Sequence, residues 1–529
     1  MAAYLTNPVL PGFHPDPCLC RAGNDLYLAT STFEWFPGVC VYHSRDFRNW
    51  RLCARPLDRR SLLDLLGVPC GGGVWAPALS WHDGYFWLVY TNMQHFEGCF
   101  KDARNFLICA PTIHGPWTEP VFLHASGFDP SLFHDADGRK YVLSQRWNPF
   151  KENPFDGILI QEYDARAHSL LGEPRLLFAG TELGVTEGPH LFRHRDWYFL
   201  VCAEGGTGWN HAVTVARCRS LEGRWEVHPE NPVLTSAEDP AQPLQKAGHA
   251  SFLQLPSGEW YLAHLCSRPM QEGDRRLCPL GRETAVQRIE WGDDDWPRLA
   301  HGGRHPQVSV PAPELPYEEA EKIPERRPFK GDRLPGEFQS LRVPASADWA
   351  SLHHRNGWVR LFGGQSLSSP FRQSLLARRI QHFECHCATL LEFRPRDVFT
   401  AAGLLLYYNL RNWVCLQVTT LDGKSAVLRL LHCENSHSPA VLGEAPLSGL
   451  KARLELQLLV AGGEVRFSFA SPEEEDPPRE IGPALPFAHF SDDFVDGWGF
   501  TGVFAGICCQ DLAGHRHPAD FKWFDYCHS

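Results

Sequence analysis

Short apolar runs closed by turn signals recur along the whole chain. In its first half they are Leu26 to Thr30, Phe86 to Tyr90, Tyr141 to Ser144, Trp197 to Cys202 and Trp260 to Leu265. Further on come Phe383 to Leu391, Ala402 to Tyr408, Trp413 to Thr419, Ala426 to His432, Lys451 to Leu459 and Glu464 to Phe469. Turn formers such as Leu421-Asp422-Gly423 and Ala461-Gly462-Gly463 separate them. Runs of this length and period predict strands, and no segment carries a convincing long helical pattern. The expected class is all-β.

A short phrase stands about ten residues before each of the first five runs. Its copies are HPDPCLC around Asp16, VWAPALS around Ala76, GFDPSLF around Asp129, TEGPHLF around Gly188 and AGHASFL around His249. Aligned on Pro17, Pro77, Pro130, Pro189 and Ala250, the copies are 60, 53, 59 and 61 residues apart. A repeat of this size made of short strands predicts a β-propeller, one four-stranded blade per copy around a central axis. Equivalent positions of all copies then face that axis. Asp16, Asp129 and Glu187 therefore converge, and His249 joins them from the fifth copy.

The repeat stops before a stretch rich in proline and charge, PAPELPYEEAEKIPERRPFKGDRLPG. The organisation expected is a five-bladed propeller over residues 1–315, a linker over 316–334 and an antiparallel β-sandwich over 335–529. At 529 residues and 43% apolar content there is material for two sizeable cores. The net charge of −12 argues against nucleic acid and against an anionic membrane as partners. No basic and apolar leader opens the chain, and no apolar run is long enough to span a bilayer. Eighteen cysteines fall within apolar strands or side by side, as Cys508 and Cys509 do, and none forms a Cys-x-x-Cys pair. Free thiols in a reducing cytoplasm are the expectation.

Two carboxyl groups facing one another across a pocket are the minimum equipment for hydrolysing a glycosidic bond. One stays ionised to activate water, and the other holds a proton for the departing oxygen. Taken alone, Asp before Pro is an ordinary turn former. Three carboxylates in register within one five-fold repeat are not.

The phrases NPVLPGFHPDP, STFEWFPGV, the Val74 to Pro77 segment, FDPSLF, TEGPHL and LGRET, with GFTGVFAGICCQDL and PADFKWFDY near the end, resemble a β-xylosidase of glycoside hydrolase family 43. The resemblance runs over nearly the whole chain. It implies a five-bladed propeller followed by a sandwich and an inverting, single-displacement mechanism. Asp16 matches the general base, Glu187 the general acid, and Asp129 the residue that tunes and positions the acid. Inversion in turn implies carboxyl groups about 6.5–9.5 Å apart. The resemblance also matches Arg282, Phe33, Trp75 and Thr207 to the substrate-binding wall. Phe504 matches a residue that the sandwich lends to the rim, which would leave room for one terminal sugar and make the enzyme exo-acting on xylo-oligosaccharides. In some members the histidine matching His249 helps to hold a divalent cation, often Ca²⁺, together with waters, although the chemistry itself requires no cofactor. Similar enzymes are often homodimers or tetramers.

Other readings stay open from sequence. An α-L-arabinofuranosidase would use the same scaffold, and dual activity is common among such enzymes. A non-catalytic carbohydrate-binding protein would not need an acid and a base together. A retaining fructosidase would carry Asn-Asp-Pro and Glu-Cys signatures in its propeller, and residues 1–315 contain neither. His382, Glu384 and His386 share one face of a strand and are read as an exposed strand face rather than a metal site.

Overall fold

The computed structural model describes residues 4–320, 323–473, 476–497 and 499–528. Each repeat phrase opens an antiparallel sheet of four strands, to which the fourth blade adds a fifth short strand, Leu234–Thr235. The first comprises Cys18–Ala22, Asp25–Thr30, Cys40–Ser44 and Arg51–Ala54. The innermost strands of the other four are Gly73–His82, Ser131–His134, Glu187–His194 and Gln245–Gln254. Each innermost strand neighbours the next, and the fifth returns to the first, so the ring closes. Tyr4–Thr6 pairs with Ser309–Pro311, and the Asn7 side chain exchanges hydrogen bonds with the backbone of Val286 in the fifth blade. The two ends of the propeller are thereby tied together.

The repeat phrase has a backbone signature. Asp16, Ala76, Asp129, Gly188 and His249 all adopt left-handed conformations, with φ of 56°, 35°, 54°, 57° and 46°. The register also shifts at this point in three blades, between Trp75 and Ala78, Glu187 and His190, and Gly248 and Ala250. Bulges re-aim side chains, and a left-handed non-glycine residue costs about 1–2 kcal/mol. Here that strain turns one residue of each copy toward the axis.

The sandwich packs two sheets over a core that includes Leu404, Leu406, Leu416, Leu456, Leu458 and Phe467. Burial alternates along Ala452–Ala461 and Glu464–Ala470, as a sheet with one wet face requires. Two strands were not expected. Trp35–Phe36, from the first blade, pairs with Gln339–Leu341 and forms the edge of a sandwich sheet. Arg326–Pro328, inside the stretch read as linker, pairs with Asp525, Phe524 and Trp523. An edge strand tolerates Pro328, which has no N–H to donate, and the Arg326–Asp525 ion pair fixes the other end. Trp35 stacks on Phe504 with ring centroids 3.7 Å apart, within a cluster that also holds Phe13, Phe33 and Leu405. The domains therefore share sheet and core. Among the described residues no helix is long and apolar enough to cross a membrane.

Candidate active site

A cavity of about 320 Å³ opens at the inner ends of the blades. Asp16, Asp129, Glu187, His249 and Arg282 line it together with the aromatic rings of Phe33, Trp75, Phe96, Phe128 and Phe500. Its size is near the lower end of the range for small-molecule sites, about 300–1,000 Å³. Of the sequence-predicted residues, Asp16, Asp129, Glu187, Phe33, Trp75, Thr207, Arg282 and His249 all line it.

Phe504 does not. It is fully buried, stacked on Trp35 and paired in register with Arg379 and Tyr407. The sandwich residue in the pocket is Phe500, whose ring lies 5.9 Å from Phe33 and 5.6 Å from Trp75. The correction has a simple cause. Phe504 begins the strand Phe504–Asp511, so the sheet dictates its direction. Phe500 precedes the strand, on a loop that crosses the propeller mouth.

Asp16 is held on both oxygens. Ser31 Oγ donates to Oδ2 at 2.6 Å, and Arg282 Nη1 lies 3.5 Å from Oδ1. Burial alone would raise this carboxyl, but Arg282, Ser31 and, when protonated, His249 keep it below its ordinary value. Ser31 Oγ in turn accepts from the N–H of Ala76 at 2.7 Å, which links two blades.

Glu187 has the opposite environment. Burial first, then the charge of Asp16, push it up to about 8, and Arg282 offsets only part of this. Asp129 is also raised well above the usual range by burial and by its neighbours Glu187 and Asp16. Asp129 Oδ2 accepts from the N–H of Gly188 at 3.2 Å, which seats it beside Glu187. Three buried carboxyls share one guanidinium, and Asp16 has the first claim on it. The other two must therefore retain a proton between them at neutral pH.

Arg282 is 4% exposed and spans three elements. Besides Asp16 it donates to Thr207 Oγ1 at 2.9 Å and to the carbonyl of Phe500 at 3.0 Å. The backbone of its Leu280-Gly281-Arg282 loop packs directly on Thr501-Gly502. A Cβ on Gly281 would lie 2.6 Å from the Thr501 carbonyl oxygen, and one on Gly502 would lie 2.5 Å from that of Leu280. These glycines permit the close approach through which one domain completes the other's pocket.

Several contributors were missed from sequence. Phe96, Phe128, Trp147, Phe155 and Lys101 were not among the candidates, yet all line the cavity. Lys101 Nζ sits 4.3 Å from the centroid of Trp147 and donates to the Phe96 carbonyl. Glu204, in the Glu204-Gly205-Gly206-Thr207 segment, is fully buried and accepts from Thr186 Oγ1 at 2.7 Å, fixing the residue before Glu187. Ser31 opens the phrase STFEWFPGV, and that membership was the available signal.

His249 packs its ring against Gly188 and lies 3.7 Å from Asp16 through Nδ1. Burial lowers its pKa, so it is neutral at neutral pH. As a cation site this position does not fit. Among the described residues no three His, Cys, Asp or Glu groups gather to hold a metal ion. The nearby Asp16 oxygens are engaged by Ser31 and Arg282, so they are not free to ligate a hard, oxygen-preferring cation.

Comparison with known proteins agrees with this architecture. The family description "Glycosyl hydrolases family 43" matches residues 5–297, and "Beta xylosidase C-terminal Concanavalin A-like domain" matches residues 326–527. A β-xylosidase of Bacillus subtilis (strain 168) is 45% identical over 99% of each chain. A xylosidase/arabinosidase of Humicola insolens is 42% identical, over 98% of this chain and 97% of that one. The crystal structure of a xylan β-1,4-xylosidase from Bacillus halodurans C-125 superposes with a TM-score of 0.96 at 44% identity, covering 99% of both chains. The chain belongs to glycoside hydrolase family 43 and carries that family's C-terminal concanavalin A-like sandwich.

Proposed function

We propose that this family 43 hydrolase is an inverting, exo-acting β-1,4-xylosidase that releases xylose from the non-reducing end of xylo-oligosaccharides. The observation that carries the reading is the division of protonation across one small pocket. Asp16 is held ionised by Arg282 and Ser31, while Glu187 keeps its proton up to about 8. Asp16 takes a proton from water as the water oxygen attacks the anomeric carbon. The bond to the leaving oxygen breaks with its electron pair, and Glu187 supplies that oxygen's proton. Asp129, held by the Gly188 N–H, keeps Glu187 in position and its proton in place. The product is the inverted α-anomer. Aromatic walls that include Phe500 of the sandwich enclose the site, which favours a terminal sugar over an internal chain segment.

Proton NMR of xylobiose hydrolysis tests this directly. α-Xylose must appear first; early β-xylose would mean retention and make Asp16 a nucleophile. A side activity on α-L-arabinofuranosides is a second reading, favoured by the similarity to the Humicola insolens xylosidase/arabinosidase. Rates on the two nitrophenyl glycosides measure its share. Eighteen free cysteines, thirteen of them buried, support a reducing, cytoplasmic setting. Fractionation of native cells against a periplasmic marker tests that placement.

A further inference from the structure

A second cavity, of about 530 Å³, lies where the first blade, the linker and the sandwich meet, and it shares no lining residue with the active-site pocket. Its walls carry Arg55 from the propeller and Arg378 and Arg379 from the sandwich strand Ser374–Arg379. Arg378 and Arg379 are each 5% exposed. Their hydrogen-bond partners are carbonyls, an amide and a thiol, not carboxylates. Arg55 donates to the carbonyls of Gly336 and Phe338, at 2.7 and 3.3 Å. Arg378 donates to Gln381 Oε1 at 3.2 Å and rests on the ring of Tyr526. Arg379 donates to the Phe13 carbonyl at 2.6 Å and to Cys40 Sγ at 3.3 Å. Among the described residues none of the three has a carboxylate within 4.0 Å. The Nε atoms of Arg55 and Arg378 are buried without any partner.

A guanidinium cannot shed its proton, and a buried charge without a counter-ion is costly. Of the carboxylates on the wall, Glu337 pairs with Arg327, while Glu318 and Glu319, on the linker, form no ion pair with the three arginines within 4.0 Å. Cys40 reports the resulting field. Burial alone would push its thiol up, as it pushes Cys18 up to about 12, yet Arg379 and Arg55 draw Cys40 below its ordinary value. This concentration of positive charge stands in a chain of net charge −12.

We propose that this cavity is a binding site for a small oxyanion-bearing molecule, phosphate or polycarboxylate, that bridges the propeller and the sandwich through Arg55, Arg378 and Arg379. Planar guanidinium forks suit the paired oxygens of either group. A bound anion would touch both domains and stabilise their contact.

Isothermal titration of the full chain at low ionic strength with pyrophosphate, inorganic phosphate and citrate tests the site. Saturable one-to-one binding is expected for at least one probe, with a rise in Tm and a weakening of about tenfold or more in Arg55→Met and in Arg378→Met. Arg55→Lys keeps charge and volume, and should weaken binding less than Arg55→Met. It also serves if the methionine variant fails to fold. Preference for pyrophosphate over citrate, or the reverse, supports the proposal and names the source. The proposal is overturned if no probe binds saturably, if neither variant changes the affinity, or if Arg282→Met alone abolishes the heat. That last result would put the anion in the active-site pocket.

Discussion

Lys246 of the propeller donates to Asp493 Oδ1 of the sandwich at 2.7 Å, with the Lys246 side chain 3% exposed and that of Asp493 11%. Asp492 Oδ2 lies 3.6 Å from the same ammonium, and Asp493 Oδ2 also accepts from the N–H of Cys278. This junction anchors the start of the loop that ends at Phe500. Removing one partner of a buried pair costs about 3–5 kcal/mol. Lys246→Met is therefore expected to lower Tm and to raise KM more than it lowers kcat, since Phe500 loses its anchor. Burial and the charge of Asp493 already raise the Asp492 carboxyl, and its protonation relieves the repulsion left behind, so the Tm deficit should shrink as pH falls. A deficit that is constant with pH would contradict the account.

The divided protonation of Asp16 and Glu187 sets the pH profile of kcat/KM. Activity requires Asp16 ionised and Glu187 protonated. It should fall on the alkaline side near pH 8, as Glu187 loses its proton, and on the acid side only below the ordinary carboxylate range. In Asp129→Asn a neighbouring charge is gone, ionised Glu187 becomes easier to form, and the alkaline limb should move down. An alkaline limb that stays put in that variant would mean Asp129 remains protonated throughout.

Glu187→Gln should lose about 10²–10⁴ in kcat on xylobiose, the usual worth of a positioned acid. On a nitrophenyl xyloside the loss should be far smaller, because that leaving group departs without a proton. Parallel kinetics on the two substrates check this. Equal losses on both would deny Glu187 the role of acid.

What sequence made legible follows from what is local. The five phrases are detectable because each must build the same bulged, left-handed turn, and that turn confines its residue choices. The sandwich strands are detectable because burial alternates with their period, as in Ala452–Ala461. Long-range pairing left no such trace. Trp35–Phe36 is two residues long, and its partner lies some three hundred positions away, so nothing local marks it as sandwich sheet. Lys246 and Lys101 look like solvated charges until the other domain or an aromatic neighbour covers them. Phe500 and Phe504 flank one Thr501-Gly502-Val503 segment, and only the start of the strand separates their fates.

Gly188 and His249 test the packing on the axis. A Cβ on Gly188 would lie 2.9 Å from Cε1 of His249, at a backbone φ of 57°. Gly188→Ala should therefore destabilise by about 1–3 kcal/mol and, by displacing the adjacent Glu187, reduce kcat. His249→Ala removes the obstruction, so the double variant should be less destabilised than the sum of the two single changes. Denaturant titrations of all four proteins complete the cycle; strict additivity would show that the ring is not what Gly188 accommodates.

Phe500 and Phe504 should respond in opposite ways to alanine. Phe500 stacks on Phe33 and faces the cavity, and its carbonyl, which holds Arg282, survives the substitution. Aromatic contacts of this kind are worth about 0.5–1.5 kcal/mol beyond burial, so Phe500→Ala should raise KM several-fold with Tm little changed. Phe504 sits at 0% exposure between Trp35 and Phe13, in the cluster that joins the two domains. Phe504→Ala should cost about 3–5 kcal/mol of stability, the usual penalty for emptying a packed aromatic site. Below its lowered Tm, the folded fraction should keep a nearly normal KM. Thermal denaturation and steady-state kinetics on both variants separate the two effects. If Phe504→Ala raises KM while Tm holds, Phe504 reaches the substrate, and the assignment of the rim to Phe500 fails.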